Sequence, residues 1–325
     1  LYEKGMIALL MNRNNETATA NSAVKSIKEF SLNSEEMGMY WKENISGYYW
    51  YQATVETQAL MIEVFGEVAK DETAVQALQV WLLRQKQTTD WKTTRATAEA
   101  CYALLLRGDN LLSNKELAMI TVGKLLVKPE SVEAGTGYFK TNWLGDAIQS
   151  DYGKVSVTPP AKNTLSYGAM YWQYFEDIDK VTASDNNLQI KKQLFLQQNS
   201  ATGPVIKPIT DNVELQVGDL IKVRIEIRVD RNMEYVHMKD MRASGFEPVN
   251  VMSEYKWQGG LGYYESTKDA STNFFFNWLP KGTYVFEYPV FVTHSGNFSN
   301  GITTIQCMYA PEFTSHSEGI RVSVE

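Results

Sequence analysis

Histidine and cysteine are scarce in this chain of 325 residues, with three of the first (His237, His294, His316) and two of the second (Cys101, Cys307). The histidines are widely separated, which leaves little for a zinc site or for imidazole catalysis. The cysteines lie in segments that read as different domains and neither has metal-ligand spacing, so no disulfide, no metal and no cofactor is expected. Cysteine scarcity suits a cytosolic protein and a bacterial exported one equally. There is no run of about 20 apolar residues, so no membrane-spanning helix is expected. Positive charge is short as well: 31 Lys and Arg face 38 Asp and Glu, for a formal net charge of −7. With no basic run to displace counterions, nucleic acid and anionic membrane are disfavoured as partners. A starting methionine is also missing. The chain opens on Leu1-Tyr2-Glu3 within an apparent helix, which reads as a piece of something longer.

What is present is enough apolar side chain, 44% of residues, to build two or three cores at about 100–200 residues each. The first third has helical periodicity. Over 53–68 the residues Val55, Ala59, Ile62 and Phe65 recur at three- and four-residue steps. Asp71 offers an N-cap to a second run ending near Lys86, with Val75, Leu78 and Leu82 on one side. A third helix fits 94–106 and closes at Gly108. A register that places Trp50 on Trp91 also places Ala59 on Ala100, Ile62 on Ala103 and Phe65 on Leu106. A period near 40 residues holding two helices suggests stacked helical hairpins, in a solenoid or a closed α/α toroid.

After Leu112 the pattern changes. Ser113-Asn114-Lys115-Glu116 has the form of a capping box, but Ile120-Thr121-Val122 and Leu125-Leu126-Val127 around Gly123 fit strands better. The aromatic stretch 167–175, from Tyr167 to Phe175, reads as a packed strand or a short helix, with strand preferred for its aromatic density. Farther on, 221–229 alternates apolar and charged without a slip, and Tyr284, Phe286 and Tyr288 share one side. Further strands fit 188–196, 235–241, 274–278, 303–309 and 320–324, separated by Gly, Pro and Asn turns, the pattern of an antiparallel sandwich. The fold class expected is therefore multidomain α and β: a partial α/α toroid at 1–112, a β-rich linker domain at 113–185, and an antiparallel β-sandwich at 186–325.

Candidate chemistry is thin. Glu176-Asp177-Ile178-Asp179 lacks the central Gly and closing Glu of a calcium loop and reads as a solvated turn. Asp146 and Asp151 have no visible desolvating surroundings for acid–base work. Gly259-Gly260-Leu261-Gly262 has no following Gly-Lys-Ser/Thr and reads as a turn between strands. Cys101 falls in the apolar register of its helix as a small buried hydrophobe, and His237 alternates along a strand. Trp257, Tyr263 and Tyr264, near expected turns, are the candidates for stacking on a sugar or anchoring a partner.

The C-terminal part resembles bacterial α2-macroglobulin-like proteins. The likeness runs from Gly218-Asp219 through the alternating strand to Val229-Asp230-Arg231-Asn232-Met233-Glu234-Tyr235-Val236, then Asp240-Met241-Arg242-Ala243-Ser244-Gly245-Phe246-Glu247-Pro248-Val249. Phe274-Phe275-Phe276, Leu279-Pro280-Lys281-Gly282-Thr283-Tyr284, Gly296-Asn297-Phe298 and Met308-Tyr309-Ala310-Pro311-Glu312 belong to the same block. This set looks like the last, receptor-binding-like macroglobulin domain of the family. The helical part looks like the end of its thioester-type toroid, through Val55-Glu56-Thr57-Gln58-Ala59-Leu60 and Thr97-Ala98-Glu99-Ala100-Cys101-Tyr102. The resemblance implies a non-catalytic module of a protease trap, meeting proteases through a full-length parent that is exported to the periplasm or cell surface and lipid-anchored. No Cys-Gly-Glu-Gln and no assignable bait segment occurs here, so no family site residue transfers, and a thioester would lie upstream of Leu1. A truncated toroid would expose apolar helix faces and favour self-association. The rival readings are a toroidal polysaccharide-degrading enzyme with an accessory sandwich, disfavoured by a helical third without histidine, and a carbohydrate-binding module.

Overall fold

Helical periodicity in the first third becomes α1 (Tyr2–Arg13), α2 (Thr17–Glu29), α3 (Thr54–Val64), α4 (Glu72–Thr88) and α5 (Thr94–Leu106), with a π-helical turn at Phe65–Ala69 continuing α3. The computed structural model describes residues 1–47, 49, 52–106, 116–135, 137–160, 166–184, 188–201, 203–210 and 213–325. Trp50, Gly108 and the residues 113–115 of the capping-box reading lie outside them. The chain divides into two units, residues 1–86 with 90–168 and residues 87–89 with 169–325.

In the first unit α3 is the central helix. Its polar residues Glu56, Thr57 and Gln58 are buried along with Ala59, Leu60, Met61, Ile62 and Val64, so it is covered on all sides. Gln58 donates from Nε2 to the carbonyl oxygens of Met39 (2.8 Å) and Leu78 (3.3 Å), which meets part of the hydrogen-bonding need of a buried amide. A short hairpin of β1 (Leu32–Ser34) and β2 (Gly38–Tyr40) packs beside these helices, and Trp41 donates its indole N–H to the Ile27 carbonyl at 2.9 Å. Ala59 and Ala100, and Ile62 and Ala103, the pairs matched by the internal repeat, are all buried. Asp71 caps α4: Oδ1 accepts from the Ala74 amide at 3.1 Å, while Oδ2 takes Lys28 Nζ at 2.6 Å. Cys101 is exposed on α5, contrary to its expected burial. The inward line of that helix is Ala96, Ala100, Ala103 and Leu104, and a residue next to Ala100 is turned about 100° away from it.

Still in this unit, β3 (Met119–Val122), β4 (Leu125–Leu126) and β5 (Val155–Thr158) form a small antiparallel sheet in the order β4-β3-β5, as the branched residues around Gly123 predict. The stretch 167–175, whose residues from Ala169 on belong to the second unit, corrects the sequence reading. It is neither strand nor helix, and Tyr167, Met170, Tyr171, Trp172, Tyr174 and Phe175 are exposed. Aromatic density favours a strand only where a ladder partner and a half-buried face exist, and among the described residues no strand pairs with the run.

The second unit holds the strands β6 (Leu188–Ser200), β7 (Gly203–Pro208), β8 (Leu220–Val229), β9 (Met233–Met241), β10 (Phe246–Pro248) and β11 (Glu254–Gln258). They continue as β12 (Leu261–Lys268), β13 (Ser271–Leu279), β14 (Gly282–Val292), β15 (Gly296–Ser299), β16 (Thr303–Cys307), β17 (Ala310–His316) and β18 (Arg321–Val324). Two antiparallel sheets, β10-β14-β8-β6-β7 and β11-β12-β13-β9-β16-β17, enclose one core, and β15 pairs with β18 as a separate ribbon. Alternation sets the facing: Ile221, Val223, Ile225, Ile227 and Val229 point inward from β8. Between the sheets Phe274, Phe276, Phe286 and Tyr263 pack with ring centroids 5.3 to 5.8 Å apart. Such pairs add about 0.5–1.5 kcal/mol each beyond their buried area.

The cap on α4 makes stability depend on acid. The ammonium of Lys28, then the Ala74 amide, hold the Asp71 carboxyl below its ordinary 3.8. A depressed folded value means the contribution is whole above that pH and fades as pH falls through the folded value. Asp71→Ala is expected to cost about 0.5–2 kcal/mol at neutral pH, and the gap from wild type should close in urea melts taken below the ordinary carboxylate value.

Candidate functional site

Three arrangements in the structure could bind something or do chemistry. The first is on the solvent side of the six-stranded sheet. Cross-strand register places Tyr255 opposite Tyr264, Tyr264 opposite Phe275, Phe275 opposite His237, and His237 opposite Gln306, one row across five strands. Directly opposed residues share a face, so the row lies on one side of the sheet. Tyr255, Tyr264 and Phe275 are exposed, and Trp257, one step along β11, is 75% exposed. His237 stacks on Phe275 at 4.7 Å between centroids, and its Nε2 lies 3.0 Å from Asn273 Oδ1. Trp257 meets Tyr255 edge-on at 5.8 Å. Opposite Trp257 stands Gly262, where a Cβ would sit 2.4 Å from the Tyr255 hydroxyl and 3.1 Å from the indole. The missing side chain lets both rings lie against the backbone, where glycine otherwise leaves a gap. Gly259 and Gly260, with φ of 59° and 79°, form the turn that brings β11 and β12 together.

Of the three aromatic residues singled out from the sequence, Trp257 and Tyr264 belong to this row. Tyr263 does not. It is 3% exposed, points into the core and donates to Gln258 Oε1 at 3.1 Å. Burial, with Glu265 adding to it, pushes its phenol up to about 12. Tyr255, Phe275 and His237 were missed as members of the row, because their neighbours across strands are set by register and are distant in sequence.

The second arrangement is buried. Lys192 and Asp240 take inward positions on β6 and β9, where alternation calls for apolar side chains, and each is 0% exposed. Lys192 Nζ lies 2.7 Å from Asp240 Oδ1 and donates to the Met241 carbonyl at 2.6 Å. Asp240 also accepts from Thr303 Oγ1 at 2.6 Å and from the Tyr288 hydroxyl. Burial, then the neighbouring Asp240, pushes the Tyr288 phenol well above its ordinary value. Asn300 closes the group: Oδ1 accepts from the Ala243 amide at 3.1 Å, while Nδ2 is buried with no hydrogen-bond partner among the described residues. Arg242 lies alongside and clamps the β12–β13 turn through the carbonyls of Lys268, Asp269 and Ser271. The only sign of this network in the sequence is a charge on the apolar phase of each strand.

The third consists of scattered polar groups. Asp177 pairs with Lys180 at 2.5 Å and Asp179 with Arg321 at 2.8 Å, a solvated turn tied to β18. Asp146 and Asp151 sit on separate 3-10 turns, Gly145–Ala147 and Ser150–Gly153. Cys307 is buried and free, its Sγ donating to the Glu234 carbonyl at 3.4 Å. No group of three or more His, Cys, Asp or Glu is placed to hold a metal among the described residues. Nor, among them, is any helix long and apolar enough to cross a membrane.

The opposite facing of Trp257 and Tyr263, on the paired strands β11 and β12, predicts opposite outcomes. Trp257→Ala should change unfolding free energy by no more than about 0.5 kcal/mol, and Tyr263→Ala should cost roughly 3–5 kcal/mol, both read from urea denaturation.

Residues 188–312 match the family model described as Bacterial Alpha-2-macroglobulin MG10 domain. No curated protein matches the chain. Among solved structures, Escherichia coli alpha-2-macroglobulin activated by porcine elastase aligns at 13% identity and a TM-score of 0.39, covering 95% of this chain and 26% of that one. The native Escherichia coli protein spanning MG7 to the C-terminus aligns at 12% and 0.35, covering 100% and 49%. Salmonella alpha-2-macroglobulin reacted with methylamine aligns at 16% and 0.34, covering 99% and 20%. The chain thus spans less than two thirds of each, and overlays this loose carry no argument. The family model bears on the sandwich alone: residues 188–312, less than half of the chain, are similar to the bacterial alpha-2-macroglobulin MG10 domain.

Proposed function

We propose that the chain is a non-catalytic module of an exported protease trap of the alpha-2-macroglobulin kind. The observation that carries the reading is the MG10 match over residues 188–312, joined to the order of helices first and sandwich last. On this reading the helices belong to an α/α toroid, the segments 1–112, 113–185 and 186–325 are separate domains, and the sandwich moves when a bait region elsewhere is cut. The junctions at 112–113 and 185–186 fall outside the described residues. Export to the periplasm or cell surface, a lipid anchor on the parent, and proteases as partners belong to the same proposal. So does self-association through α1, whose Met6, Ile7 and Leu10 are exposed.

The test uses the full-length protein that carries this chain. Incubated with a broad-specificity protease and followed by sedimentation, it should become more compact. The bound protease should lose activity on large substrates and keep it on small ones. Degradation with both activities intact would remove the trap reading, and a concentration-independent monomer of this chain on its own would remove self-association.

One observation favours a second reading, that of a sugar-binding module: the exposed aromatic row on the outer sheet, with Asn273 and Gln306 beside it. Pyranose rings stack on such flat faces while neighbouring amides take the hydroxyls. Screened on a glycan array, the chain should retain a polysaccharide that Trp257→Ala with Tyr264→Ala releases. An array on which wild type binds nothing rejects this reading.

A further inference from the structure

We propose that Lys192 and Asp240 are joined by an intramolecular amide bond that cross-links β6 to β9 through the core of the sandwich. The two side chains meet at 2.7 Å in a site with 0% exposure on both sides. They come from different sheets, so the bond would tie the two layers together. A carboxylate and an ammonium held in fixed contact away from water have the effective concentration that amide formation in water lacks. Oriented intramolecular reactions of this kind reach effective molarities of about 10⁵–10⁸ M.

The proton count of the pair is sufficient in itself. Lys192 passes one ammonium proton to the carboxylate, leaving a free amine and a carboxylic acid. The nitrogen lone pair attacks Asp240 Cγ, and a tetrahedral centre forms with a C–N bond. A second nitrogen proton moves to the departing carboxyl oxygen, the C–O bond breaks, and one water leaves. No oxidant, activated donor or external acid enters. Thr303 Oγ1 donates to one carboxyl oxygen and Tyr288 to the other, so negative charge developing on either oxygen meets a placed donor. The product amide keeps one N–H, and the Met241 carbonyl, 2.6 Å from Nζ, is there to accept it. Asn300 is the neighbouring alternative acceptor. Its backbone carbonyl lies 3.5 Å from Nζ and its side-chain amide nitrogen has no hydrogen-bond partner among the described residues; attack there would expel ammonia instead of water.

Intact-mass spectrometry of the denatured chain decides the matter without any variant. The expected result is a mass lower than that calculated from the sequence by about 18 Da, one water. A tryptic digest should then yield a branched peptide joining Lys192 to Asp240. The calculated mass would show an ion pair only and overturn the proposal. A loss of about 17 Da, one ammonia, with the branch on Asn300, would overturn the assignment to Asp240. Lys192→Met removes the nucleophile and should restore the calculated mass for its own sequence. If that variant does not fold, the wild-type mass and digest still decide.

Discussion

Each sheet of the sandwich is covered on one face only, and that constraint dictates what stands at every second position of β6, β8, β9, β13 and β14. Among the exceptions to the apolar rule, Lys192 and Asp240 face each other across the core. Each alone would be a bare charge in a dry site, and removing one partner of such a pair costs about 3–5 kcal/mol. Together, with Thr303, Tyr288 and the Met241 carbonyl, they fill one another's hydrogen-bonding capacity. A two-residue slip of β6 would keep its alternation but set Ile190 or Leu194 against Asp240 and leave the carboxylate unpaired. The pair therefore penalises wrong registers that the apolar residues around it, being much alike, would tolerate.

The same period-two rule explains what the sequence disclosed and what it hid. Where alternation was clean, as in 221–229, strand and facing were both legible. Asp71 was legible as a cap because the chemistry of capping is local: one carboxylate and one amide three residues on. Lys192 was hidden because Lys191 precedes it. Neighbours on a strand point to opposite faces, and the sequence alone does not say which of two adjacent lysines turns inward. Tyr263 and Tyr264 carried the same lesson in reverse. Grouping them as surface aromatics ignored that one of the two had to enter the core.

Two other readings failed on geometry. The run 167–175 has the composition of a buried strand, but a strand exists only as half of a ladder, and composition does not supply the other half. Cys101 shared a helix with apolar neighbours, yet the inward line runs through Ala100 and Ala103 to Leu104, leaving the thiol outside. In both, the residue types were right for burial and the geometry was not. The cross-strand aromatic row is the converse: Tyr255, Tyr264, Phe275 and His237 come from four separate strands and become one surface only when register is known.

That row is also exposed in an unusual way. Its rings are ordered before any partner arrives, because Gly262 lets Tyr255 and Trp257 rest on the backbone and His237 is held between Phe275 and Asn273. Immobilising a rotamer-rich side chain on binding costs about 0.5–1.5 kcal/mol, a loss that rings already in place largely avoid. A surface ordered in this way favours whatever flat apolar face meets it, whether the ring of a sugar or the side of another domain. The buried network and the outer row thus divide the six-stranded sheet by face. β9 contributes to both: Asp240 fixes the sheet to its partner on the inside, and His237, three residues before it, helps to build the platform on the outside. A change at either position on β9 acts on a single face, because the intervening backbone hydrogen bonds to β13 and β16 hold the strand in place for both.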